Sequence, residues 1–226
     1  MAVIEGGVSN ALAGVGAESA SPLHTARYPI SIGAGGGYKI GANSGTMAAA
    51  LAAGSEIFQF RYVTSQDRLA LVYKVSISAG ANVAATAAAL IAFRLTAARA
   101  WTAAGSGGTR IVLTGNNAKL RTAVATSEVN DAGISTTAAL TAGTKTLDTT
   151  DLATVAQGIG TGAITTGVAL PIIPKYSLLD ADGEGQFPLV LDNQEGFVIR
   201  TGANNFPATM TWHFGIEVLW LEVPFF

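Results

Sequence analysis

Hydrophobic and polar residues alternate most regularly near the end of the chain. Met210, Trp212, Phe214, Ile216, Val218 and Trp220 fall on every second position, with Thr211, His213, Gly215 and Glu217 between them. A period of two predicts a β-strand with one buried face. Two tryptophans on that face make Trp212, Phe214, Ile216, Val218 and Trp220 the expected anchor of the core. Weaker copies of the pattern recur upstream. Phe58, Phe60 and Tyr62 alternate with Gln59 and Arg61; Leu69, Leu71, Tyr73, Val75 and Ile77 then share a face, with Lys74, Ser76 and Ser78 opposite. The turn Ser65-Gln66-Asp67 between them predicts a β-hairpin. The core face of the last strand is expected to meet Leu71, Tyr73, Val75, Phe197 and Ile199.

Between Val83 and Arg99 the alanine content also suits a helix. The two-residue spacing of Ile91, Phe93 and Leu95 favours a strand over Ala89–Leu95. Further short strands are expected at Tyr28–Ile32, Tyr38–Ile40, Ile111–Leu113, Leu120–Thr126, Ile134–Leu140, Ala163–Ala169, Phe187–Leu191 and Phe197–Arg200. Pro171 and Pro174 bracket Ile172 and Ile173, which suits an edge strand. Two helical turns are expected, at Met47–Ala53 and at Asp148–Gln157, the second capped by Thr149 or Thr150. Many short strands without a fixed repeat predict an all-β fold, an antiparallel β-sandwich of jelly-roll-like form. Residues 1–45, rich in glycine and serine, are expected to form an extended, partly irregular N-terminal arm, and residues 46–226 the sandwich. The arm's sizeable anchors are Leu12, Leu23, Tyr28, Ile30 and Ile32.

Composition narrows the function. Charged residues make up 12% of the 226 positions, about half the usual share, while 49% are hydrophobic and 27 are glycine. So few charges suggest a surface partly covered by other copies or partners. The net charge of −2 and the absence of a basic run give nucleic acid no electrostatic footprint. The apolar stretch Val83–Leu95 is too short to span a bilayer and carries Arg94. No secretory signal pattern is present, so synthesis in the cytoplasm is the expectation. The lack of cysteine excludes disulfides and thiolate metal sites, and two histidines, His24 and His213, exclude a multi-histidine site within one chain.

No catalytic, cofactor or metal residues are assigned. Gly33-Ala34-Gly35-Gly36-Gly37 lacks the Lys-Ser/Thr of a phosphate loop. Asp180, Asp182 and Glu184 alternate and offer oxygen ligands for calcium, without the full loop spacing. His213 has no nucleophile in a recognisable setting. Trp101 either caps the core or stacks on a sugar.

Three tracts, Glu195-Gly196-Phe197-Val198-Ile199-Arg200, Pro207-Ala208-Thr209-Met210-Thr211-Trp212 and Val218-Leu219-Trp220-Leu221-Glu222-Val223, resemble the C-terminal end of small structural proteins of tailed bacteriophages. Glu56-Ile57-Phe58-Gln59-Phe60-Arg61 and Thr114-Gly115-Asn116-Asn117 resemble their middle. The resemblance implies a non-enzymatic virion protein, a capsid decoration (cement) protein first and a tail or head-fibre component second. It implies a homo-oligomer, a trimer favoured, on the capsid surface, with the major capsid protein or other virion proteins as partners. A carbohydrate-binding module reading a bacterial surface is the competing class, and a β-sandwich hydrolase the third.

Overall fold

The computed structural model describes residues 2–6, 11–15, 37–64, 68–160, 171–181 and 187–224. Contacts divide the chain into two units, Met1–Ala34 and Gly35–Phe226. In the first, β1 (Ala2–Gly6) and β2 (Ala11–Val15) pair antiparallel, Ala2 opposite Val15 and Gly6 opposite Ala11. Leu12 lies in β2; Leu23, Tyr28, Ile30 and Ile32 lie outside the described residues, as do His24 and the glycine run up to Gly36.

The second unit is an antiparallel β-sandwich, and no helix occurs among the described residues. Its strands are β3 (Gly37–Asn43), β4 (Glu56–Tyr62), β5 (Arg68–Ala81), β6 (Ala89–Ala103), β7 (Thr109–Arg110), β8 (Val129–Ile134), β9 (Thr144–Leu147), β10 (Ala153–Ile159), β11 (Pro171–Asp180), β12 (Leu189–Leu191), β13 (Glu195–Thr201) and β14 (Trp212–Pro224). A seven-stranded sheet runs β10-β6-β13-β4-β8-β7, with β9 also on β6; a five-stranded sheet runs β11-β5-β14-β3, with β12 also on β5. The arm therefore ends earlier than its composition suggests. Gly37–Asn43 pairs with β14 from Leu221 to Gly215 and belongs to the sandwich.

The last strand behaves as its alternation predicts. Trp212, Phe214, Ile216, Val218 and Trp220 are buried in one core with Phe197, Ile199 and Val75. The two tryptophans tie the layers together. Trp220 stacks on Tyr38 at 5.4 Å and meets Phe60 of the opposite sheet edge-on at 5.1 Å. Trp212 contacts Phe93 of the opposite sheet at 5.6 Å and stacks on Phe206 at 4.4 Å. Aromatic pairs at these separations contribute beyond the area they bury.

Four sequence expectations are corrected. Leu71 and Tyr73 are not in the core. Val75 lies opposite Val218, but Val72 lies opposite Trp220, so one extra residue in β5 shifts the register there. A bulge of this kind exchanges the two faces of a strand. Beyond it Ala70 and Val72 point inward, and Leu69 and Leu71 point outward. Second, β4 and β5 form no hairpin: β4 pairs with β13 and β8, and β5 with β14, β11 and β12. The chain crosses between sheets here, and alternation looks the same whether two strands are neighbours in one sheet or face each other across a core.

Third, neither helical turn forms. Met47 bridges to Trp212, and Ala50 and Gly54 adopt positive φ. Residues Ala153–Ile159 form β10, added to the edge of β6, so strand pairing outweighs the capping pattern. Fourth, Ile111–Leu113, Leu120–Thr126 and most of Ile134–Leu140 are irregular, the neighbouring pairs falling to β7 and β8 instead. The proline-bracketed segment does form an edge strand, β11, and its register slips twice between Pro171 and Tyr176. Ala163–Ala169 lies outside the described residues.

Candidate functional site: the outer faces of the two sheets

The inner faces are filled with side chains, so recognition falls to the outer faces. On the seven-stranded sheet the outward positions carry charge, and the charges pair within the chain. Asp151 accepts hydrogen bonds from Thr96 at 2.6 Å and from Arg200 at 3.0 Å, and pairs with Arg94 at 3.5 Å. Burial pushes its carboxyl up, but those hydrogen bonds and the two guanidinium charges outweigh it and hold the group below the usual carboxylate range. Arg99 bridges Glu195 at 2.7 Å and Asp148 at 3.4 Å. Arg61 donates to the carbonyls of Trp101 and Thr102, both at 2.9 Å.

The same face holds a small second core of Ala98, Trp101 and Val198, with Leu147 against it. Trp101 is fully buried and donates through Nε1 to the Ala103 carbonyl at 3.0 Å. The core reading of this residue therefore stands, and its ring does not face solvent. Gly196 makes room for it, since a Cβ there would lie 2.9 Å from the indole ring and against the Phe60 carbonyl. Lys145 Nζ lies 4.4 Å from the ring centroid and 2.8 Å from Glu56, which also accepts from Gln59 at 2.5 Å. Burial lowers the Lys145 pKa against the pull of Glu56. At the far edge Arg110 lies over Gly133 and pairs with Asp131 at 3.1 Å, whose carboxyl burial pushes up.

The five-stranded sheet is different. Beyond the bulge its outer face is apolar: Leu71 lies between Val190 of β12 and Leu221 of β14 as cross-strand neighbours, and Leu69 lies beside Val223. Val190 is 44% exposed and Phe187, at the entry to β12, is 86% exposed. On the other side of the bulge the same face turns polar and shallow. Ser76, Ser78, Gly215 and Gly41 are its small outward positions, and Glu217 stands among them, 2.8 Å from Lys175 and 3.4 Å from Lys39. The Lys175 hydrogen bond holds the Glu217 carboxyl below its usual range.

The other residues marked by the sequence are dispersed. His213 is exposed on the outer face of β14, over Gly80, and its Nδ1–H donates to Asn82 Oδ1 at 2.8 Å. Asp180 pairs with Lys74 at 3.1 Å and accepts from Ser177 at 3.3 Å; Asp182 and Glu184 lie outside the described residues. Among the described residues no group of three or more His, Cys, Asp or Glu side chains is placed to hold a metal ion. No helix among them is long and apolar enough to cross a membrane. Sequence reading missed the outward apolar row because the bulge inverts it. It missed the Lys145–Glu56 pair because 89 positions separate the partners.

Comparison with protein-family models, with curated proteins and with solved structures returned no match to this chain.

Proposed function

We propose that this chain is a non-enzymatic structural protein of a tailed-bacteriophage particle, a capsid decoration protein that works by adhesion. The observation carrying this reading is the exposed apolar pair Val190 and Phe187, with the half-buried Leu71 opposite Val190 on the same outer face. Apolar side chains on the outside of a sandwich mark an association surface. The opposite outer face offers little to a partner, because its charges are consumed in pairs within the chain. The proposed occupant is a second copy of this chain, closing a symmetric homo-oligomer, with a trimer the favoured state. The β1–β2 ribbon is the proposed capsid contact. Two strands alone are marginally stable in water, and a particle surface supplies what they lack.

The phage resemblance in the sequence supports the same reading, with a tail or head-fibre component as its nearest variant. Two measurements test it. The purified chain should sediment as a trimer, and L71R combined with V190R should sediment as a monomer that still unfolds cooperatively, without the concentration-dependent melting temperature of the trimer. In a reconstruction of purified particles, the chain should occupy repeated positions on the capsid surface. Density confined to the tail or fibre would move the assignment there, and absence from the particle would overturn it.

A further inference from the structure

The polar half of the five-stranded sheet's outer face is a trough of about 230 Å³. Its depth comes from sequence: four small residues on three adjacent strands, Gly41 on β3, Gly215 on β14, and Ser76 and Ser78 on β5, leave the sheet without tall side chains at its middle. Register sets them side by side. Ser76 lies opposite Glu217, which lies opposite Gly41; Ser78 lies opposite Gly215, which lies opposite Asn43. A Cβ on Gly41 would meet nothing within 4 Å, so the floor there is open. The walls are Asn43, Glu217 and Lys175.

A second observation points to a ligand. Ser76 is 1% exposed and its hydroxyl has no hydrogen-bond partner. A buried hydroxyl normally finds one, and leaving it unpaired costs free energy. Here it sits in a trough whose other groups form a mixed set: a second serine hydroxyl, an amide, a carboxylate and an ammonium.

We infer that this trough binds a single sugar unit, held by hydrogen bonds to its ring hydroxyls. Vicinal hydroxyls both donate and accept, and so match a carboxylate acceptor, an ammonium donor, an amide and two serines together. At Gly41 a ring can approach the backbone closely, while Asn43 Oδ1 and Ser78 Oγ stand over Gly215, 2.8 and 3.2 Å from where a Cβ would lie. The volume lies below the roughly 300–1,000 Å³ of sites for drug-sized ligands, which limits occupancy to about one ring. An inorganic anion is the less suited ligand, because Lys175, the lysine that lines the trough, is already paired with Glu217 at 2.8 Å. The inference stands apart from the place of the chain on a particle.

The test is titration of the isotope-labelled chain with methyl glycosides of glucose, galactose, mannose and N-acetylglucosamine, followed by amide shifts in NMR. At least one should move the Gly41, Ser76, Ser78 and Gly215 amides and saturate at roughly millimolar concentration, as a small ligand in an open site should. S76A should weaken that binding about tenfold or more. S78L, which fills the trough from a half-buried position on β5, should abolish it, with melting temperatures recorded for both variants. Inorganic phosphate serves as the anion control. Absence of shifts with all four glycosides, shifts centred elsewhere, or the same shifts with phosphate alone would each overturn the inference.

Discussion

Lys145 Nζ lies 2.8 Å from Glu56 with both side chains buried, at 1% and 7% exposure. Removing one member of such a pair leaves an isolated charge and costs about 3–5 kcal/mol, whereas replacing both with apolar groups of similar volume is often neutral. K145A should therefore destabilise the domain by about that amount in urea unfolding. The double variant K145M/E56L should recover most of the loss. If the single variant costs no more than an exposed substitution, the pair is solvated and the geometry is wrong.

The bulge at Tyr73 yields opposite expectations for adjacent residues. V72A removes core methyls and should cost about 1–3 kcal/mol. L71S, one position away, should cost about 0.5 kcal/mol or less in the isolated chain. Chemical denaturation of the two variants separates the cases. Equal losses would mean that β5 keeps one face throughout.

Trp212 packs against Phe93, Phe206 and Phe214 at the junction of both sheets. W212A should cost about 3–5 kcal/mol, the range for deleting a large buried aromatic. The loss should appear as a lower denaturation midpoint with an unchanged slope. A loss below 1 kcal/mol would place the residue outside the core.

Glu222 carries the clearest pH signature. Burial raises its carboxyl pKa, against hydrogen bonds donated by Ser127 at 2.5 Å, by the Glu128 N–H and by Trp220 Nε1 at 3.2 Å. With the folded pKa above the unfolded one, the folded state holds the extra proton between the two values. The stabilisation is complete below the unfolded pKa and is lost as pH rises through the folded one. The difference in melting temperature between wild type and E222Q should therefore shift in favour of wild type as pH falls from 7 toward 4. Asp151 acts in the opposite sense, since its lowered pKa adds stability that is lost on acidification. Only the difference between the two proteins isolates Glu222. A pH-independent difference would sink the assignment.

The sequence carried the fold class because the decisive strands are long and strictly alternating. Trp212 to Trp220 and Ile91 to Leu95 show a period of two that nothing interrupts. It failed where one residue changes the parity. Leu71 and Tyr73 read as core because Leu69 through Ile77 alternates without a break, and a bulge leaves no mark in such a pattern. Thr149, Thr150 and Asp151 read as a helix start, yet the carboxylate of Asp151 meets Thr96 and Arg200, partners distant in sequence. The trough was half legible. Ser76 and Ser78 stood on the polar face of their strand, but their apposition to Gly215 and Gly41 depends on register, which no local pattern specifies.

The position of β14 has a consequence for synthesis. It lies between β3 and β5 and pairs with both, so of the described strands of its sheet the last in chain order completes the middle. While a ribosome extends the chain, β3 waits more than a hundred residues for its neighbour, and β5 keeps one edge open. Such edges invite pairing with other chains, and closure over so large a separation is slow. A translation product interrupted before Trp212 lacks the strand that joins β3 to β5 and both tryptophans that bridge the layers. Only chains translated through Trp220 therefore carry the strand that joins β3 to β5.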